Sequence, residues 1–165
     1  MDLSNQFLVG LGSEQIERYK RSVIFVCQHN ENGAMGLIIN HQSKVKSDQL
    51  FKRYIDDDKK MAPEAKISEG GPVETDSGFV IHSNDQTWDS SINVGDVSVS
   101  TSQAMMRAMA RKEGPEHSLI VLGYCGWNPG QLEEQVRDGL WLTCDINQDV
   151  LFDTPFEERW EEAIH

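Results

Sequence analysis

The apolar positions of this chain fall into short runs with two different spacings. Leu119-Ile-Val-Leu122 is four apolar residues in succession, the pattern of a strand covered on both faces. Ser22-Val-Ile-Phe-Val-Cys27 and Met35-Gly-Leu-Ile-Ile-Asn40 are rich in β-branched and aromatic residues and predict a hairpin. Their link is Gln28-His-Asn-Glu-Asn-Gly33, whose Asn32-Gly33 pair readily takes the positive φ angles of a tight turn. Residues 7–11, 79–82, 97–100 and 140–144 predict further strands, and Gly95-Asp96 marks a turn between 91–94 and 97–100.

Helical spacing appears elsewhere. Leu50, Phe51, Tyr54 and Ile55 recur on one side of a short helix over 47–55, which the charged run Asp56-Asp-Asp-Lys-Lys60 ends, leaving 56–66 as a loop. Ser100 and Gln103 form a capping box opening a helix through Arg111, with Gly114-Pro115 as its stop. Met105, Met109, Ala104 and Ala108 share a stripe of that helix that reads as core packing. Pro155 opens a closing helix over 156–164, whose Trp160 packs while Glu157, Glu158, Glu161 and Glu162 face water.

The most informative stretch runs from Leu119 to Glu133. It reads as strand, turn, helix: Gly123 and Gly126 permit a reversal, Asn128 suits an N-cap, Pro129 the first helical position, and Gln131 a side chain that reaches back. A helix over 131–138 follows, with Gly139 as its stop. Six or seven strands and four helices, interleaved irregularly, predict a mixed α/β or α+β fold, and 165 residues fit a single domain spanning 1–165.

Charge narrows the partners. The formal net charge is −12, and residues 129–165 hold ten acids against Arg137 and Arg159. Such a balance opposes binding to phosphate backbones, which depends on Lys and Arg. Arg18-Tyr-Lys20-Arg21 is the basic cluster the sequence offers, and Glu14 and Glu17 flank it. Three cysteines, Cys27, Cys125 and Cys144, form no C-x-x-C pair and suit a reducing compartment, and no apolar run approaches the ~20 residues of a membrane span. A cytoplasmic location follows as the expectation.

Known chemical motifs fail one by one. Gly10-Leu-Gly12 is followed by Gln15 where a dinucleotide fingerprint needs glycine. Asp145-Ile-Asn147-Gln-Asp149 starts like a calcium loop, yet Val150 and Phe156 stand where glycine and glutamate belong. Gly123-Tyr-Cys-Gly-Trp127 approaches a nucleophile elbow, but Trp127 replaces the last glycine, and a base such as His29, His82 or His117 would have to be in reach. No catalytic residue, metal site or cofactor is expected.

Arg21-Ser-Val with Val26-Cys-Gln-His-Asn30, Asn32-Gly-Ala-Met-Gly36 with Ile39-Asn40, Gly70-Gly-Pro72, Gly78-Phe79 with His82, and Leu122-Gly-Tyr-Cys-Gly-Trp-Asn-Pro-Gly-Gln-Leu-Glu133 are separated pieces that follow one another along the chain. Taken in that order, they resemble the AlgH/YqgE family of small bacterial proteins. The resemblance implies a bifurcated, partly barrel-like sheet surrounded by helices. It implies little chemistry, since members are described as uncharacterised with a transcriptional-regulator label. Cys125 stands where the family usually has a small residue such as Ala, which weakens any catalytic thiol.

Two functional expectations follow. The first is a non-enzymatic protein that acts through a protein partner, with no direct nucleic-acid binding and no membrane. The second is a small-ligand or enzymatic cleft where His29, Asn30, Asn40, Gly70, Gly71, Gly123, Tyr124, Gly126, Trp127, Asn128 and Gln131 converge, with an anion at the helix start. Hairpin turns and helix caps require the same residue types, so each of these positions also has a purely structural reading.

Overall fold

The computed structural model describes residues 1–12, 19–54, 63–84, 88, 91–101 and 103–164. The predicted Ile55 end of the first helix, most of the 56–66 loop, and Arg18 lie outside them. Among the described residues, nine strands join in one hydrogen-bonded sheet. They are β1 (Gln6–Gly10), β2 (Val23–Asn30), β3 (Gly33–Ile38), β4 (Ile67–Glu69), β5 (Val73–Ser83), β6 (Ser91–Val94), β7 (Val97–Ser100), β8 (Ser118–Trp127) and β9 (Trp141–Asp145). The order is β6-β7-β5-β8-β3-β2-β1-β9, with β4 added in parallel beside β8. Helices α1 (Ser47–Phe51), α2 (Gln103–Ala110), α3 (Gln131–Arg137), α4 (Gln148–Phe152) and α5 (Arg159–Ile164) cover the sheet.

The sheet forks at β8. Residues 118–122 of β8 lie between β5 on one edge and β4 on the other, whereas 125–127 pair with β3. Gly70 is the node, since its N–H donates to Leu122 O at 2.7 Å and its carbonyl accepts from Ile38 N at 3.0 Å. The chain then passes from the β4 edge of β8 to the β5 edge, and backbone lies on backbone. A Cβ on Gly70 would collide with Gly123 O, one on Gly71 with the Tyr124 carbonyl, and one on Gly123 would sit 2.6 Å from Gly71 O. Gly70-Gly71-Pro72 bends the chain here, and what its glycines approach is another strand.

Both faces of the curled sheet are covered, which explains the unbroken apolar runs. Phe7, Val9, Val23, Phe25, Ile81, Val99, Leu119 and Val121 form an inner core with Val150, Leu151 and Phe152 of α4. Leu8, Ile24, Val26 and Cys125 face a second cluster under Leu132 of α3, and Val80 and Ile120 face a third under α1 and α2.

Several local expectations are corrected. The link 28–33 is mostly strand: pairing runs to Asn30↔Gly33 past a bulge at Cys27, so His29 sits inside β2. Gly123 and Gly126 make no reversal, because β8 continues to Trp127. The turn is Asn128-Pro129-Gly130-Gln131, closed by Gln131 N donating to Asn128 O at 3.0 Å, with Gly130 at φ +78°, a type II turn. Asn128 therefore precedes the helix, although Gln131 Oε1 does reach back to Asn128 N at 2.9 Å. Ser100 caps nothing, since it belongs to β7 and its hydroxyl is bound to His82 Nε2 at 2.7 Å and to Ser91. On α2 the buried stripe is Met105, Met106, Met109 and Ala110, and Ala104 is exposed.

One buried cation was not anticipated. Arg159 is fully buried, donating from Nη1 to Ile39 O at 2.7 Å and from Nε to Thr154 O at 2.8 Å, with its guanidinium 4.5 Å from the Phe156 ring centroid. Burial pushes its pKa down to about 10, which leaves it charged at neutral pH. It ties α5 to the end of the β2–β3 hairpin.

Denaturant unfolding reads three expected outcomes. Gly71→Ala should cost about 3 kcal/mol or more, because the fixed β8 backbone fills the new methyl's place. Gly130→Ala, with open space around it, should cost only the ~1–2 kcal/mol of left-handed backbone. Arg159→Ala should cost about 2–4 kcal/mol, since it empties packed volume and strands the buried Ile39 carbonyl and the part-buried Thr154 carbonyl.

Candidate functional site

The eleven sequence-singled residues divide into three places along the β3–β8 region. His29, Gly126, Trp127, Asn128 and Gln131 gather where β8 leaves for α3, with Asn30 at the adjacent hairpin turn. Gly70, Gly71, Gly123 and Tyr124 form the strand crossing. Asn40 lies at the opposite end of β2, accepting from Val23 N at 2.9 Å and donating to Arg21 O at 2.8 Å. Val23 and Asn30 are seven residues apart on one strand, roughly 23 Å. Asn40 and Asn30 therefore do not meet.

At the first place, His29 is held from both sides. Leu3 N donates to Nδ1 at 2.9 Å, and Nε2 lies 2.9 Å from Glu133 Oε1. A donor facing Nδ1 makes that nitrogen the acceptor, so the proton is on Nε2 and is given to the carboxylate. That bond holds the Glu133 carboxyl below the usual range. The imidazole side chain is 1% exposed and that of Glu133 24%. The pair fastens the N-terminal segment to β2 and α3.

Beside it, Gln135 Oε1 accepts from two indoles, Trp127 Nε1 at 3.0 Å and Trp141 Nε1 at 2.9 Å. The two rings meet edge to face at 6.4 Å. Asn30 Oδ1 accepts from Asn32 N and closes the hairpin. Tyr124 stands edge-on to Phe79 with centroids 5.9 Å apart. Cys125 is buried in β8, its thiol 3.5 Å from Gly70 O, away from any elbow. Sequence reasoning passed over Gln135 and Glu133. Gln135 lies three residues after the buried Leu132 and shares its side of α3, a spacing that gave a signal, whereas Glu133, two residues from Gln135, lies off that side and gave none.

Two histidine–serine pairs lie elsewhere. Ser22 Oγ is 3.0 Å from His41 Nε2, and burial lowers the His41 pKa against the opposing pull of Glu69. Ser22 and Ser100 are each fully buried, so neither hydroxyl is presented to solvent. Among the described residues, no group of three His, Cys, Asp or Glu is placed to hold a metal ion. No helix among them is long and apolar enough to cross a membrane.

Comparison with known proteins agrees with this architecture. Residues 7–165 match the family model described as AlgH-like. A UPF0301 protein of Thioalkalivibrio sulfidiphilus is 40% identical over 163 residues, covering 98% of this chain and 88% of that protein. One of Pseudoalteromonas translucida is 39% identical over 165 residues, with 98% and 89% covered. The solution structure of the AlgH protein from Pseudomonas aeruginosa has a TM-score of 0.83 at 39% identity, covering 99% of this chain and 87% of that one. A crystal structure of protein DIP2367 from Corynebacterium diphtheriae, with a TM-score of 0.77 at 20% identity over 97% and 84% of the chains, shares the fold. The bifurcated, partly barrel-like sheet implied by the sequence resemblance is the fold found, and the chain belongs to the AlgH-like family.

Proposed function

We propose that the protein is a non-enzymatic cytoplasmic binding protein that acts through a protein partner, any effect on transcription being indirect. The observation that carries this reading is where the motif residues direct their polar atoms. His29 bridges Leu3 and Glu133, Asn40 bridges Val23 and Arg21, Gln131 binds Asn128, and Gly70 and Gly71 are filled by β8. A small-molecule site instead aims a few donors and acceptors into empty space. The two clefts beside α1 and α2 are lined by none of the eleven residues.

The alternative, a small anionic ligand at the start of α3, meets an electrostatic obstacle. Glu133 and Glu134 occupy the first turn of that helix, where an anion would be repelled. With a formal net charge of −12, the chain also works against general attraction to phosphate.

A thermal-shift screen against metabolites, nucleotides and metals, run beside a low-salt titration with random duplex DNA, tests the reading. A flat screen and no salt-sensitive DNA binding are expected. A ligand that raises the melting temperature by several degrees, and loses that effect in Asn30→Ala or Gln131→Ala, would overturn it.

A further inference from the structure

Charge is distributed unevenly over the folded chain. Residues 49–54 and 103–112 contain five cations, Lys52, Arg53, Arg107, Arg111 and Lys112, and no acid, although the whole chain carries −12. Leu50 and Phe51 of α1 bury one cluster with Met105, Met106 and Met109 of α2, which sets the two helices side by side. All five cations are exposed. None has a carboxylate within 4.0 Å among the described residues. On an acidic protein, five exposed cations with no carboxylate partner among the described residues thus gather on one helical pair.

The surroundings extend the feature. Lys44, Lys46 and Lys66 line a cleft with Ala65, Ile67 and Phe156, and Lys66 and Lys112 line the adjoining cleft with Phe51 and Met109. The clefts share Glu64, Ala65 and Lys66, and their walls set Lys44, Lys46, Lys66 and Lys112 beside Asp48, Glu64, Glu116 and Asp153 around a partly apolar floor. On the outer side of α2, Arg107 and Arg111 alternate with Ala104 and Ala108, whose short side chains let another backbone come close.

We infer that the α1–α2 face docks an acidic, partly apolar segment of a protein partner, an inference that rests on the partner reading above. Charge complementarity selects the occupant. An amphipathic acidic helix sets carboxylates against the cations and apolar side chains against Val45, Ala65 and Phe156. A nucleic-acid backbone brings no apolar side chain to set on that floor. The rest of the chain, more acidic still, repels a long polyanion over distances where a short peptide feels only the local face.

The test uses the full chain, isotopically labelled, and a synthetic helical peptide of glutamate and leucine repeats. Binding should weaken with salt, and amide shifts should concentrate in 44–53 and 103–112. Arg107→Glu/Arg111→Glu should lose affinity at least about tenfold with its melting temperature retained, whereas Lys20→Glu/Arg137→Glu should bind within about twofold of the parent. If the reversal variant fails to fold, Arg107→Gln/Arg111→Gln gives the same reading with a smaller loss. Shifts mapped elsewhere, equal losses in both double variants, or no binding at low salt would each overturn the docking face while leaving the partner reading intact. Tighter binding of duplex DNA through Arg107 and Arg111 would overturn both.

Discussion

The chain leaves β4 on one edge of β8 and begins β5 on the other, so it must cross the face of that strand with no room for side chains. Gly70, Gly71 and Gly123 make the crossing possible, and the Gly70 hydrogen bonds to Leu122 and Ile38 join three strands at that point. Everything else is arranged around it. Below the crossing β8 pairs with β3 and belongs to the half of the sheet capped by α3, and above it β8 pairs with β4 and β5 beneath α1 and α2. A sheet that forks in this way has two outer faces to cover and one inner core, which is why so many of its strands are apolar on both sides.

The polar groups nearest the fork are committed to holding it together. Ser68 Oγ donates to Ile38 O at 2.8 Å, Gln135 gathers two tryptophans, and His29 anchors the N-terminal segment. Arg159 extends the same logic to the closing helix, spending a full positive charge on two main-chain carbonyls and an aromatic face. Functional interest therefore moves from the motif residues to the outer surface of α1 and α2, where exposed cations have no carboxylate partner among the described residues.

Much of this fold was legible in the residues. The β2–β3 hairpin, the turn at Gly95-Asp96, the stop at Gly139 and the exposed glutamates around Trp160 all follow from local rules, because each depends on neighbours close in sequence. The glycines at 70, 71 and 123 were visible as unusual, but whether they approach a strand or a ligand depends on residues some fifty positions apart. The strand–turn–helix stretch was read with its turn too early: Gly123 suits a reversal by conformation, yet its positive φ serves the crossing, and the bend waits for Pro129-Gly130. The cationic face was invisible for a similar reason. Its two halves lie about fifty residues apart, each unremarkable alone, and only the packing of Leu50 and Phe51 on the α2 methionines unites them.

Native-state amide hydrogen exchange at the crossing tests the central claim most directly. If the glycine crossing holds both halves of the sheet together, the amides of Ile38 and Gly70 should exchange only through global unfolding, with opening free energies equal to those of the most protected amides in β1 and β2. Exchange at Ile38 and Gly70 by a cheaper local opening, while β1 and β2 stay protected, would show that the fork is a peripheral feature of a sheet held together elsewhere.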